Sequence, residues 1–277
     1  MNNPKAPTMV SLFAGCGGLD LGFEQAGFKR VWANDFDKDA QAIFQLNLGE
    51  IDCRDIRDVP VTDIPDCDIL TAGFPCQPFS NAGSRKGVYD ARGTLYLECL
   101  RIIEAKNPSV VVFENVKGLM SSKHQNGQRL IDVIAGDLCK IGYTVNYQVV
   151  NASDYGVPQN RERLILVAIR ADYGKTFEFP QKIENKERLT LRHILDIPPD
   201  VPNQVDWPLS PQAYAMVQKI PEGGSWKSIP YEDLSPRFKR IRDDMKRYHA
   251  PNFYRRFSRD EINGTITASA QPENCGI

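Results

Sequence analysis

The stretch that most constrains the fold is a short apolar run, Ile69-Leu70-Thr71-Ala72, which breaks off at Gly73 into Phe74-Pro75-Cys76-Gln77-Pro78-Phe79-Ser80. The run is bounded by Asp66 and Asp68, and it reads as a strand buried in a parallel sheet rather than a half-exposed one. Pro75 and Pro78 each fix φ and remove a backbone donor, so Cys76 between them fits neither a sheet ladder nor a helix interior. The chain must leave the sheet abruptly there. In open α/β sheets such exits lie at the carboxyl edge, where ligands gather. A free cysteine is most often a buried structural residue. One held between two prolines and followed by a Ser-Asn-Ala-Gly loop is instead a candidate reagent.

Other runs repeat the pattern. Residues 10–14 form a strand candidate that enters Gly15-Cys16-Gly17-Gly18 and then a helix over 19–26, with Leu19, Phe23 and Ala26 at helical spacing and Gly27 as the stop. Glycines in such a turn let a ligand approach the backbone and leave free N–H groups at the helix start. The next strand, 30–33, ends at Asn34-Asp35, and a carboxylate ~20 residues after the first glycine has the spacing at which nucleotide-binding folds hold ribose hydroxyls. A helix is predicted over 39–46, and 51–56 offers a third strand with Asp55 at its exit. Residues 80–93 hold three glycines and almost no apolar anchor, which predicts a loop able to act as a lid. A helix opens at Thr94, with Leu95, Cys99, Ile102 and Ile103 on one face, and ends before Pro108. Val110-Val111-Val112-Phe113 is the most strand-like run and delivers Glu114-Asn115 to the same edge, where the carboxylate is either a helix-capping group or a reagent. After a helix over 129–141, alternating Tyr143, Val145, Tyr147 and Val149 and the run 164–169 are joined by a short connection, which predicts an antiparallel pair at one end of the sheet. Arg161 and Arg163, two apart in an extended segment, share a face suited to an anionic or carbonyl-bearing ligand.

A chain of 277 residues exceeds the usual single domain. Composition changes near Pro180: 11 of the 19 prolines fall in the last 98 residues, and apolar periodicity fades. This predicts an α/β domain over 1–179 and a smaller loop-rich domain over 180–277. The net charge of −1 hides an uneven spread, with 6 Lys/Arg against 11 Asp/Glu in residues 1–66 but 11 against 5 in residues 219–259. That basic stretch, interleaved with Trp226, Tyr248, Phe253 and Tyr254, is either a solvated face or a phosphate-binding one. Seven cysteines, an odd number without C-x-x-C spacing, argue against a disulfide framework and a zinc site and point to a reducing compartment. There is no basic segment leading into an apolar core at the N-terminus, and no apolar run approaches the ~20 residues that span a bilayer. The expectation is a soluble intracellular protein with no metal and no membrane partner.

Taken together, these residues make the chain resemble the bacterial DNA (cytosine-5)-methyltransferases of restriction-modification systems. Phe13-Ala14-Gly15-Cys16-Gly17-Gly18 resembles the family's cofactor loop, Gly73-Phe74-Pro75-Cys76 its nucleophile motif, Glu114-Asn115-Val116 its acid motif and residues 159–163 its Gln-x-Arg-x-Arg motif. The resemblance implies a Rossmann-like S-adenosylmethionine-dependent sheet with a target-recognition domain. It also implies methyl transfer to carbon 5 of a flipped-out cytosine in double-stranded DNA, with S-adenosylhomocysteine as product. Cys76 would add to carbon 6, Glu114 would serve the ring N3, and Arg161 with Arg163 would orient the base carbonyl. Phe13, Gly15, Gly17, Gly18, Leu19, Asp35, Phe36, Asp55, Ile56, Gly73, Pro75 and Leu95 would line the cofactor, with Asp35 on the ribose and Phe36 against the adenine. The expected place is the bacterial cytoplasm, at the nucleoid through DNA.

One departure stands out. Members of the family end with a helical motif containing Gly-Asn-Ala-Val-Pro, whereas this sequence stops at Pro272-Glu273-Asn274-Cys275-Gly276-Ile277. The expectations are a truncated product or a second polypeptide that supplies the motif. Three alternatives stay open: a cytosine-5 RNA methyltransferase, a nicotinamide-dependent oxidoreductase on the same glycine turn, and a catalytically incomplete DNA-binding subunit of a split methyltransferase.

Overall fold

The computed structural model describes residues 5–75, 94–123, 127–202, 209–244 and 253–267. The chain divides into two compact units, residues 1–150 with 162–180 and residues 151–161 with 181–277.

In the first unit the short apolar runs become strands of one sheet. They are β1 (Thr8–Leu12), β2 (Lys29–Asn34), β3 (Ile69–Ala72), β4 (Val110–Val116), β5 (Tyr143–Asn151) and β6 (Glu162–Arg170), in the order β2-β1-β3-β4-β6-β5. β1 pairs in parallel with β2 and with β3, β3 pairs in parallel with β4, and β6 runs antiparallel to β4. Helices α1 (Gly18–Gln25), α2 (Lys38–Leu48), α3 (Thr94–Lys106) and α4 (Leu130–Lys140) fall where the periodicity predicts them, to within two residues. α2 starts at an Asp37 cap whose carboxylate accepts the N–H groups of Asp39 and Ala40. The core is one cluster in which Leu70, Cys99, Ile102, Ile103, Val111 and Leu138 are fully buried. Each aliphatic side chain so buried contributes about 1.5–3 kcal/mol.

Two local expectations fail, each for a readable reason. Residues 51–56 make no strand: only Asp52 bridges to Asn34. Asp55 then caps a 3-10 turn, Ile56–Asp58, by accepting the Arg57 N–H. β4 does not stop at Phe113 but continues to Val116, because β6 pairs with it along its whole length. Glu114 therefore stands in a ladder opposite Ile165, and the helix-capping alternative falls away.

The second unit contains α5 (Pro211–Val217), α6 (Pro236–Asp243) and several 3-10 turns. Its core is Ile220, Trp226, Ile229, Leu234, Phe238, Phe253 and Tyr254. Trp226, Phe253 and Tyr254, which the sequence interleaves with the basic stretch, are only 2%, 5% and 3% exposed and are not available to stack on bases. In a unit with few regular elements, large aromatic rings supply the area that helices and strands would otherwise bury. Tyr248 lies outside the described residues. Cys16, Cys53, Cys67, Cys99 and Cys139 are free thiols. Among the described residues no helix is long and apolar enough to cross a membrane, and no group of three or more His, Cys, Asp or Glu could hold a metal ion.

Candidate active site

Strand register sets out the site. Leu12 pairs with Asn34 on one side and with Ala72 on the other, and Ala72 pairs with Phe113, so four residues form one row across β2, β1, β3 and β4. The next residue on each strand is Asp35, Phe13, Gly73 or Glu114. With strands about 4.8 Å apart, the row from Asp35 to Glu114 spans roughly 14 Å. Asp35, Gly73 and Glu114 are residues the sequence marks after its apolar strand runs, and parallel pairing brings them into one row with Phe13.

At one end of the row the turn after β1 is built from unusual backbone. Phe13 has φ 54, Gly15 φ 57 and Gly17 φ 84, a region that side-chain-bearing residues rarely enter. Gly17 is required twice over: a Cβ there would stand 2.2 Å from Leu48 Cδ1 and 2.9 Å from the Phe44 ring. Gly15 and Gly18 differ, since a Cβ on either would meet nothing within 4 Å. The Gly15 N–H donates to Asp35 Oδ2 at 2.8 Å, and the Asp37 N–H donates to Asp35 Oδ1 at 2.9 Å. Each oxygen of an ionised carboxylate accepts more than one donor, so Asp35 is fixed in place with acceptor capacity to spare. Phe36 follows it, 60% exposed.

Asp55 lies beyond β2's edge. The side chain of Asn34 donates to the carbonyls of Asp52 and Arg54, which ties that segment to the end of β2. Hydrogen bonding from Arg57 holds the Asp55 carboxyl below the usual carboxylate range, so it is an ionised acceptor at neutral pH. Arg101 on α3 donates to the carbonyls of Ile56 and Val59, both at 3.1 Å, and holds this turn in place. Ile56 and Leu95 have their side chains in the core, so only their backbone is available to a ligand, while Leu19 is half-buried on α1. An open glycine cradle, a pre-oriented carboxylate, an exposed aromatic ring and a second ionised acceptor fit a nucleoside with free ribose hydroxyls and an exocyclic amine, as S-adenosylmethionine has.

At the other end of the row Glu114 is half-buried and its Oε1 lies 2.9 Å from Arg163 Nε. Its Oε2 faces the β3 exit, 3.9 Å from where a Cβ on Gly73 would be. Asn115, buried beside it, donates to the Phe74 carbonyl at 2.9 Å and accepts the Val116 N–H at 2.9 Å. Phe74 itself packs edge-on against Phe113 with ring centroids 5.2 Å apart. The turn from Gly73 to the exposed Pro75 is thus pinned from beneath. Cys76 and the lid-like stretch 80–93 lie outside the described residues.

The two arginines are placed differently. Arg163 belongs to β6, opposite Val116. Arg161 precedes that strand and falls in the second unit, where its N–H donates to Asn151 Oδ1, its carbonyl accepts the Ala152 N–H and its guanidinium donates to the Ile266 carbonyl at 3.4 Å. Asn160 is held in the same way, giving its N–H to the Asn263 carbonyl and accepting the Ser153 hydroxyl on Oδ1. Asn115 and Arg101, to which the sequence motifs assign no role, are the supporting residues that sequence reasoning misses. The sequence signal for Asn115 is its place in the Glu114-Asn115-Val116 motif, which by itself does not say what the side chain holds.

Residues 7–275 match the family described as C-5 cytosine-specific DNA methylase. The chain is 39% identical to the type II methyltransferase M.NgoFVII of Neisseria gonorrhoeae over 274 residues, which cover 95% of this chain and 70% of that protein. It is 46% identical to the type II methyltransferase M.HaeII of Haemophilus aegyptius over 194 residues, covering 70% of this chain and 59% of the relative. The matched stretch thus spans more than half, but not the whole, of the length of such relatives. A prophage-encoded Escherichia coli protein of known structure shares the fold, with a TM-score of 0.64 at 20% identity over 94% of this chain and 82% of that one.

Proposed function

The chain belongs to the C-5 cytosine-specific DNA methylase family, and on that premise we propose that it methylates carbon 5 of a cytosine in double-stranded DNA, using S-adenosylmethionine. The observation that supports the reading is the row across the sheet, which has the anchored carboxylate of Asp35 at one end and the Arg163-held carboxylate of Glu114 at the other. Gly73, which leads to Cys76, lies beside Glu114.

Carbon 5 of cytosine is a poor nucleophile until the ring is made electron-rich. Cys76 adds as thiolate to carbon 6, and Glu114 holds a proton at N3. Arg163 occupies one Glu114 oxygen and leaves Oε2 to face the base. Arg161 orients the base carbonyl. S-adenosylmethionine, when bound, supplies the electrophilic methyl group that carbon 5 takes. Loss of the carbon 5 proton then expels the Cys76 thiol. Phe13, Gly15, Gly17, Gly18 and Leu19 would hold the adenosine, with Asp35 to accept the ribose hydroxyls, Phe36 to cover the ring, and Asp55 with the Ile56 backbone to meet its edge. Gly73, Pro75 and Leu95 complete the wall toward the reacting carbon.

A cytosine inside a duplex is out of reach of such a site, so the base is flipped out. The second unit serves as the target-recognition region, and the work is done on bacterial DNA in the cytoplasm. The test is transfer of labelled methyl from S-adenosylmethionine to duplex DNA by the wild type and by Cys76→Ser. Incorporation at carbon 5 by the wild type alone supports the reading. No incorporation by either, with or without an added C-terminal complement, or equal incorporation by both, refutes it.

A further inference from the structure

Arg30 stands at a junction that the proposed chemistry does not use. On β2, with its side chain only 11% exposed, it reaches two helices and a loop at once. Its Nε donates to Glu24 Oε1 on α1 at 3.1 Å and lies 3.7 Å from Asp20 Oδ1. Asp20 is wholly buried; its Oδ2 accepts the Ser11 hydroxyl at 2.9 Å, and its Oδ1 has no hydrogen-bond partner, so Arg30 is the cation that offsets its charge. On the other side the guanidinium donates to the carbonyls of Leu48 at 2.6 Å and Glu50 at 3.3 Å, and it lies over the Phe44 ring at 4.9 Å. α2 carries no basic residue in its own last turn, and Arg30 serves that end from the neighbouring strand.

Phe44 and Leu48 are the two side chains against which Gly17 rests. We infer that Arg30 is a positioning residue for the cofactor loop: by fastening α1, β2 and the end of α2 together, it holds the wall that fixes Gly17 and, with it, the cradle from Gly15 to Gly18. The inference rests on the reading of that cradle as the S-adenosylmethionine site. An arginine is needed because one planar fork serves a carboxylate pair, two carbonyls and a ring, which a lysine ammonium does not span.

The test compares the wild-type chain with Arg30→Met, Arg30→Lys and Leu48→Ala. Leu48→Ala removes the atoms nearest Gly17 and leaves the carbonyl that Arg30 uses. Calorimetry measures S-adenosylmethionine affinity, and amide exchange over residues 15–18 is followed before any cofactor is added. Arg30→Met is expected to weaken S-adenosylmethionine binding about tenfold and to speed exchange of the loop amides, with DNA affinity and kcat at saturating cofactor within about twofold of wild type. Arg30→Lys should fall between, and Leu48→Ala should shift affinity and exchange in the same direction as Arg30→Met. If Arg30→Met melts lower yet, well below its melting temperature, binds cofactor and protects the loop as the wild type does, Arg30 is merely structural and the inference is overturned. Should Arg30→Met not fold, Leu48→Ala decides, and unchanged affinity and exchange in it overturn the inference. A wild-type chain that binds no S-adenosylmethionine overturns the reading of the cradle and this inference with it, whereas wild-type binding that none of the variants alters overturns the inference alone.

Discussion

Three alanine substitutions in one turn separate a cofactor cradle from an ordinary tight turn. Gly17→Ala must place a side chain at φ 84, and its Cβ would stand 2.2 Å from Leu48 Cδ1. Left-handed backbone costs a non-glycine residue about 1–2 kcal/mol, and forcing extra carbon into packed space costs about 1–3 kcal/mol. The sum is roughly 3 kcal/mol, which for a unit of this size lowers Tm by roughly 6–12 °C. Gly15→Ala meets open space at φ 57, so only the conformational cost of about 1–2 kcal/mol applies. Gly18→Ala, in the first turn of α1, meets open space with no positive φ and should be neutral or stabilising by up to about 1 kcal/mol. If the open space is where the cofactor lies, Gly15→Ala and Gly18→Ala should each weaken S-adenosylmethionine at least about tenfold, or 1.4 kcal/mol, despite their small stability costs. Differential scanning calorimetry and isothermal titration on the same samples give both axes. Wild-type cofactor affinity in Gly18→Ala, with reduced affinity elsewhere that merely tracks Tm, would show a structural turn and refute the cradle.

Four further outcomes follow from particular side chains. Glu114→Gln keeps shape but cannot donate a proton in the same way, so kcat should fall by at least about a hundredfold with DNA affinity nearly unchanged; a variant that melts early and recovers its rate in the cold would mark the carboxylate as structural. Arg237 and Arg240 are exposed on α6, and reversing their charges should flatten the salt dependence of DNA binding by roughly one log–log unit for each phosphate no longer neutralised; an unchanged slope would return them to an ordinary solvated face. Reversing Arg255 or Arg256 should instead lower stability, because the first is paired with Glu261 and the second donates to the Ile220 carbonyl. Burial lifts the Asp20 carboxyl above its usual range, so its contribution to stability is fully present at low pH and is lost as pH rises from about 3.9 through the raised value. Asp20→Asn, which does not titrate, should therefore gain on the wild type over that window in urea melts, and a constant difference between the two would refute this.

Much of this is legible because strand exits are written in strong local chemistry. A run such as Leu70 to Phe74 with two prolines after it has almost no other way to fold, and parallel pairing then brings every such exit to one edge. Where the sequence misleads, side chains compete with the backbone. Residues 51–56 have strand composition, yet Asp52 and Asp55 hydrogen-bond their own neighbours and turn the chain instead. The end of β4 escapes sequence reasoning because pairing with β6 decides it, and that partner lies some fifty residues later. Tertiary partnership of this kind leaves no periodic trace.

The basic stretch carries the sharper lesson about what a charge count contains. Its balance of 11 against 5 suggests a phosphate-binding face, but a guanidinium is also the best available cap for stray carbonyls in a unit with few helices and strands. Arg242 donates to the carbonyls of Trp226, Lys227 and Ile229 and lies over the Trp226 ring; Arg256 caps Ile220; Lys219 is paired with Asp233. These cations hold the loops around an aromatic core and have little left for DNA. Arg30 plays the same part in the first unit, where it binds the end of α2 from a neighbouring strand. In both places the deciding fact is which carbonyls lack a partner, and those belong to turns whose geometry no spacing rule supplies. Charge patterning therefore locates a nucleic-acid surface only after the cations that the loops themselves consume have been subtracted, and among the described residues Arg237 and Arg240, exposed on one helix, are a pair to test.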